Sequence, residues 1–169
     1  MAKNIFAVAN YNLTALADTV AGANATYLAL KGNSTTVRNL VSEINIGGLA
    51  TVSSPCIGLF AYSSTLGITP TGLAGGATNG PMDPNTAALS VANVAYTAAA
   101  TGPARAVTAT FGRLTLGLNL FGGIFKWNSG QREEFIVYGN AVNTGEAFLS
   151  AFTGTTTGAA SSHILYETI

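Results

Sequence analysis

A strict alternation of leucine with small or polar residues runs through the sequence RLTLGLNL at positions 113–120. Successive side chains of a β-strand point to opposite faces, so a spacing of two residues keeps a set of side chains on one face. The residues that share a face here are Leu114, Leu116, Leu118 and Leu120. The segment therefore predicts a strand whose leucine face lies in a hydrophobic core.

Other short apolar runs bounded by turn residues also predict strands, in ATYLALKG and in PCIGLFAYSS. The segment TTVRNLVSEINIGG allows two structures. A helix would place on one face Val37, Leu40, Val41 and Ile44. A strand would place on one face Leu40, Ser42, Ile44 and Ile46, with the serine interrupting the apolar series. The β-branched residues and the two following glycines favour the strand. NLTALADTVAGA stays open, with a short helix from Asn12 to Gly22 as one choice.

Two hairpins are predicted in the second half of the chain. In IFKWNSGQREEFIVYG, two extended runs are joined by residues 128–131. In the second, the runs EAFLSAF and SSHILYET flank the turn-rich sequence TGTTTGAA. Counted together, these segments give about eight strands, a number typical of a two-sheet fold. The chain is predicted to be an all-β protein, an antiparallel β-sandwich of jelly-roll type.

The charge content separates this chain from most soluble proteins. Only 8% of its 169 residues are charged, and seven basic residues balance seven acidic ones. No electrostatic field is available to hold a phosphate backbone or an anionic membrane, so neither a nucleic acid nor a membrane is expected as a partner. A neutral surface protects poorly against association, which favours a protein that works within an assembly. The length fits one domain.

Neither targeting nor membrane insertion is expected. The amino-terminal stretch MAKNIFAVANYNL is too short and too polar for a signal peptide, and no apolar run is long enough to cross a bilayer. The chain is expected to be made in a cytoplasm and to be soluble.

Residues able to carry chemistry are few. His163 is the only histidine and Cys56 the only cysteine, so a disulfide within the chain and a Cys/His metal site are both excluded. We expect His163 on a strand face and Cys56 in the core. Glu133 and Glu134 are adjacent and would point to opposite faces of a strand. Asp83 begins no complete calcium loop and is expected to cap a brief turn. No catalytic, cofactor-binding or metal-binding residue is predicted, and the chain is not expected to be an enzyme.

Aromatic side chains concentrate in the first predicted hairpin, with only Lys126 and Arg132 as basic residues among them. The set comprises Phe125, Trp127, Phe135 and Tyr138. We expect them in the core or in a contact between subunits, rather than stacked on sugars or bases.

The order of several motifs resembles the small all-β structural proteins of tailed bacteriophages, namely capsid cement or decoration proteins. The motifs are VRNLVSEINIGG, TPTGL with a long loop to MDP, LTLGLNLFGGIFKW, EEFIVYGN, GEAFLSAF and SSHILYE. The resemblance covers residues 37–169. The family pattern often closes on two acidic residues, whereas here Glu167 is followed by Thr168 and Ile169.

The resemblance implies a function in the virion. Residues 37–169 would form the β-sandwich domain, and residues 1–36 an amino-terminal arm or a further part of the sandwich. The protein would bind the major capsid protein on the capsid exterior, as a homo-oligomer with a trimer favoured, and stabilise contacts between capsid subunits. No cofactor is implied. The alternative is a tail-fibre or receptor-binding module that recognises a host glycan.

The charge-poor sequence TPTGLAGGATNGPMDPNTAAL, residues 69–89, is the longest predicted connection. Leu73, Met82 and Leu89 give it apolar anchors, which excludes a linker between domains, and Asp83 is its only ionisable residue, which excludes an active site. Loops of this length in compact domains usually have a function or are disordered. We expect it to cross from one sheet to the other and to help form a contact between subunits.

Overall fold

The computed structural model describes residues 5–12, 16–17, 26–31, 36, 38–62, 79–86, 93–94, 113–130, 135–138, 146–152, 156–157 and 159–169. Within these ranges the regular elements are all β-strands. In chain order they are β1 (Ile5–Asn12), β2 (Leu16–Ala17), β3 (Thr26–Lys31), β4 (Arg38–Gly48), β5 (Pro55–Tyr62), β6 (Asn79–Pro81), β7 (Asn93–Val94), β8 (Arg113–Asn119), β9 (Ile124–Asn128), β10 (Phe135–Tyr138), β11 (Glu146–Phe152), β12 (Thr156–Thr157) and β13 (Ala160–Thr168). A helix suited to crossing a membrane is not found among the described residues.

Two antiparallel sheets contain all the longer strands, which confirms the predicted all-β antiparallel class. The first sheet has the order β10-β4-β13-β1-β6, and β9 also pairs with β4. The second has the order β7-β3-β11-β5-β8, while β12 and β2 form a separate pair. The strands predicted in ATYLALKG and PCIGLFAYSS are β3 and β5. Of the ambiguous segment NLTALADTVAGA, Asn12 ends β1 and Leu16–Ala17 form β2, and the other residues lie outside the described residues.

Strand β4 confirms the choice of strand over helix for its segment, and a β-bulge at Ser42 interrupts it. Residues before and after Ser42 pair in register with β13, and the register shifts between Leu165 and Tyr166 opposite it. The Ser42 carbonyl accepts a hydrogen bond from the Ser129 backbone N–H at 2.9 Å. Such an extra residue moves all later side chains to the other face.

The bulge changes which residues of β4 face the core. The inward side chains are Asn39 and Val41 before Ser42, and Ile44 and Ile46 after it. The predicted face that grouped Leu40 with the two isoleucines is therefore wrong, because the extra residue leaves Leu40 half-buried on the outer face.

Neither predicted hairpin forms. Strands β9 and β10 do not pair with each other; both pair with β4, β9 along residues 43–47 and β10 along residues 38–41. Strand β11 lies in the second sheet and β13 in the first. Both connections contain turn residues, but such residues do not determine whether the two flanking strands pair with each other or with other strands.

One hydrophobic core is shared by the two sheets. The rings of Phe60 in β5 and Phe135 in β10 contact edge to face, with centroids 4.5 Å apart. The Tyr62 hydroxyl of the second sheet donates a hydrogen bond to the Ile136 carbonyl of the first. The buried core side chains are Phe6, Val8, Leu28, Leu30, Val41, Ile44, Ile46, Cys56, Phe60, Leu118, Leu120, Phe125, Phe135, Val137, Ala147, Leu149, Ala160, Ile164 and Tyr166.

The predicted leucine face of β8 and most of the predicted aromatic cluster lie in this core or pack against it. Leu118 and Leu120 are buried, and Leu114 packs against the core, as predicted; the side chain of Leu116 lies outside the described residues. Trp127 also packs against the core, whereas Tyr138 is exposed.

The amino-terminal segment 1–36 supplies strands to both sheets. β1 pairs with β13 along its full length, and β3 pairs with β11. If β1 were an arm that contacts a neighbouring subunit, it would have to separate from β13. The arm therefore stays a prediction.

Part of the long connection at residues 69–89 is also a strand. Residues 79–81 form β6, which pairs with β1 in the first sheet, although the preceding strand β5 belongs to the second sheet. The chain crosses between the sheets here, as predicted. Residues 69–78 and 87–89 lie outside the described residues.

Candidate functional site

Exposed apolar side chains mark both ends of β4. In the described part of the chain, all but Ile57 of the large apolar side chains that are exposed fall into two groups. We call the group beside Gly48 the loop patch; it consists of Leu49, Val52, Phe121 and Ile124. We call the group beside Arg38 the sheet patch; it consists of Ile5, Met82, Ile136, Tyr138 and Ile169. Because β4 has 11 residues, the two patches lie about 30 Å apart.

The loop patch is carried by the β4–β5 loop and the β8–β9 turn. The exposed fractions are 45% for Leu49, 71% for Val52, 58% for Phe121 and 74% for Ile124. At roughly 200 Å² for a fully exposed large apolar side chain, these values leave about 500 Å² of apolar surface. That is near the upper end for the largest patch of an ordinary monomer, and such patches are often functional.

Hydrogen bonds hold the two loop-patch segments together. Asn119 Oδ1 accepts from the backbone N–H of Ser54 at 2.9 Å and from that of Phe121 at 3.0 Å. Its Nδ2 donates to Ser53 Oγ at 3.0 Å. In addition, the backbone N–H of Ala50 donates to the carbonyl of Leu120 at 3.0 Å. The loop patch thus rests on an ordered platform rather than on a free loop.

Glycines permit the close approach of these segments. A Cβ at Gly48 would lie 2.0 Å from the carbonyl oxygen of Leu120, and one at Gly123 would lie 2.0 Å from that of Asn119. Gly122 has a φ of 72°, a left-handed conformation that suits glycine. The chain turns at Gly122 and Gly123, and the preceding Phe121 is exposed.

The sheet patch lies on the outer face of the first sheet. Ile5 and Ile136 fall in one row across four strands, with Glu167 and Leu40 between them. The Arg38 guanidinium carbon lies 5.1 Å from the centroid of the Tyr138 ring. The sheet patch therefore combines apolar side chains with one cation and one carboxylate.

A polar cluster separates the two patches at the middle of the same face. Glu43 is its centre: Oε1 accepts a hydrogen bond from Asn45 Nδ2 and lies 3.0 Å from His163 Nε2, while Oε2 lies 3.2 Å from Lys126 Nζ. The hydrogen bond from His163 is the main cause that holds the pKa of Glu43 below its usual value of 4.5, against desolvation, which raises it. The cluster is internally paired, which suits a solvated strand face.

The predicted roles of the isolated polar residues agree with their positions. His163 lies on a strand face, in β13, as predicted. Cys56 is buried in the core, also as predicted, and burial raises the pKa of its thiol to about 11. Asp83 caps a turn, since Oδ1 accepts from the backbone N–H of Asn85 at 2.9 Å. Glu133 and Glu134 lie outside the described residues. Within the described ranges, no three acidic, histidine or cysteine side chains are grouped to hold a metal ion.

Sequence reasoning missed the loop patch. Phe121 and Ile124 directly follow the alternating segment and look like further core residues. The available signal was the pair of glycines between them, which bends the chain and changes the direction of the side chains.

Comparisons of this chain with models of protein families, with curated proteins and with solved structures find no match.

Proposed function

We propose that the chain is a viral structural protein, a capsid cement or decoration protein that binds the outer surface of an assembled bacteriophage head and stabilises contacts between capsid subunits. The observation that carries the proposal is the pair of apolar patches at the two ends of β4. A rigid body with a patch at each end can contact two neighbours at once, and a cement protein has to do so.

The area of each patch is that of a weak contact, so tight binding would need both contacts at once. About 500 Å² of apolar surface at each end is worth roughly 12 kcal/mol of gross burial at about 25 cal/mol per Å². Association costs about 4–15 kcal/mol in lost freedom, so one patch alone gives a contact that dissociates on dilution. Two contacts made by one body share that cost, and the second forms at a high effective concentration. The protein would then bind an assembled shell much better than a free subunit.

The proposal includes a jelly-roll sandwich. Its support is the nested order of strand pairs when strands of two or three residues are set aside. The first strand pairs with the last, β1 with β13, and the second with the second from the end, β3 with β11. The third pairs with β9 and β10, and the fourth, β5, with β8. A long antiparallel ribbon rolled up in this way is the jelly-roll order, which occurs in viral capsid proteins.

The partners follow from the same surface. The major capsid protein would take the place of solvent at one patch or both, and copies of the chain would associate, with a trimer favoured. The balanced charges and the internally paired cluster around Glu43 offer nothing to a nucleic acid or an anionic membrane. The protein would reside on the capsid exterior, and it would act without catalysis or cofactor.

Binding to empty heads of the virus that encodes the chain tests the proposal. The purified protein is mixed with the heads and separated by sedimentation, and we expect saturation at a fixed ratio to the shell subunit. The double variants Phe121→Ser/Ile124→Ser and Ile136→Ser/Ile169→Ser should each bind at least about tenfold more weakly. Ile57→Ser is the matched control, because Ile57 is exposed but lies in neither patch. Absence of binding, with the protein found at the tail tip instead, would overturn the proposal.

The alternative, a tail-fibre or receptor-binding module for a host glycan, is favoured by one observation. Phe121 is an exposed aromatic side chain on a turn, and sugars stack on such rings. Against it, the neighbouring Asn119 uses its side chain for hydrogen bonds within the platform. A glycan array decides: strong, specific hits that disappear in Phe121→Ala would favour the alternative.

A further inference from the structure

We propose that the loop patch is the surface through which copies of this chain associate with one another, so that the sheet patch is left for the shell. The proposed function expects a homo-oligomer without saying which surface forms it. The inference concerns the free protein, and its test needs no capsid. Its failure is therefore distinguishable from a failure of shell binding.

The absence of charge from the loop patch favours a second copy of the chain as its binding partner. The two segments that carry the loop patch, LATVSS at 49–54 and NLFGGIF at 119–125, contain no charged residue. The nearest charge along the chain, Lys126, is paired with Glu43. When a surface meets its own copy around a rotation axis, every charge near the axis meets a like charge. A surface free of charge avoids this repulsion, and it offers no complement to a charged partner.

The sheet patch differs in this respect. Two charged residues lie among its side chains, namely Arg38 over the Tyr138 ring and Glu167 in the row that joins Ile5 to Ile136. A surface with fixed charges of both signs specifies a partner with the complementary pattern. The sheet patch therefore suits a different protein, and the loop patch suits the chain itself.

Area is the second argument. Two copies that cover each other's loop patch would remove about 1,000 Å² of surface in all, which is the lower limit for a stable specific interface. Three copies around a three-fold axis would cover the same residues. The platform is already ordered by Asn119 and by the close approach at Gly48, so association has few side chains and loops to order.

The test is the oligomeric state of the purified chain, measured by sedimentation velocity from about 1 to about 200 µM. We expect a dimer or a trimer that dissociates on dilution, and Phe121→Ser/Ile124→Ser should raise its dissociation constant at least about 100-fold. The control Ile136→Ser/Ile169→Ser should change that constant by less than about threefold, although both changed residues are also large, apolar and exposed. A native chain that stays monomeric throughout, or an oligomer retained in the loop-patch variant, would overturn the inference.

A cross-link gives a second measurement that does not depend on the stability of the double variant. Val52→Cys places an exposed thiol in the loop patch, and the native Cys56 is buried with a pKa of about 11, so it does not compete. Mild oxidation should convert most of the Val52→Cys protein into a covalent dimer, and Ile57→Cys should give little. Equal cross-linking at both positions would contradict the inference.

Discussion

Replacing Gly48 by alanine should disrupt the platform of the loop patch more than any other change of one methyl group there. The added Cβ would lie 2.0, 2.3 and 2.4 Å from the carbonyl oxygen, carbonyl carbon and Cα of Leu120. These are backbone atoms, so no side-chain rotation relieves the overlap. The β8–β9 turn has to move away from the end of β4.

This movement would break two backbone hydrogen bonds between the segments, and their loss sets the expected change in the free energy of unfolding. The backbone N–H of Gly48 donates to the carbonyl of Gly123 at 2.9 Å, and that of Ala50 donates to the carbonyl of Leu120 at 3.0 Å. Each is worth about 1 kcal/mol net, and displacing the fully buried Leu120 adds a packing loss of similar size. We expect Gly48→Ala to lower the free energy of unfolding by about 3 kcal/mol.

Urea unfolding followed by circular dichroism measures this loss, and the preceding residue provides a matched control. A Cβ at Gly47 would lie 3.5 Å from Ser161 Oγ, an ordinary contact. Gly47→Ala should change the free energy of unfolding by less than about 1 kcal/mol, since alanine also suits a strand better than glycine. Equal losses for the two variants would refute the reasoning about the platform.

Three further predictions concern single polar groups. The folded-state pKa of Glu43 lies below its usual value of 4.5, so its contribution to stability is present above pH 4.5 and is lost as the pH falls through the folded-state pKa. Unfolding between about pH 6 and pH 3 should therefore show a smaller loss in Glu43→Gln than in the native protein; parallel pH curves would contradict this. The buried Ser162 hydroxyl has no hydrogen-bond partner in the described part of the chain, so Ser162→Ala should leave the free energy of unfolding unchanged or raise it by up to about 1 kcal/mol, and a clear loss would reveal a partner. Burial raises the pKa of the Cys56 thiol to about 11, so iodoacetamide at about pH 8 should modify it only in urea, and rapid alkylation of the folded protein would disprove its burial.

The class of fold could be predicted from the sequence because period-two alternation is a local signal. The leucines of β8 show this alternation, whereas the strand in β4 is indicated by its β-branched residues and the glycines that follow, and the structure places both segments in sheets. The pairing of strands could not be predicted in this way. The residues between β9 and β10 are typical of a hairpin turn, yet both strands align along β4, and their junction lies beside the Ser42 bulge.

The loop patch could not be predicted from local sequence either. Leu49, Phe121 and Ile124 are apolar and follow strands, so composition places them in a core. Their exposure depends on the two loop segments closing over each other at Gly48 and Gly123, which is a tertiary contact between distant parts of the sequence. Burial of an apolar side chain is decided by such contacts, and local periodicity does not report them.

A density map of shells saturated with the protein, obtained by electron cryo-microscopy, tests the central claim most directly. We expect the β-sandwich on the outer surface, with Ile136 and Tyr138 against a capsid subunit and Phe121 against another copy of the chain. A map in which both patches face solvent, or one in which shells carry no added density at saturating protein, would contradict it.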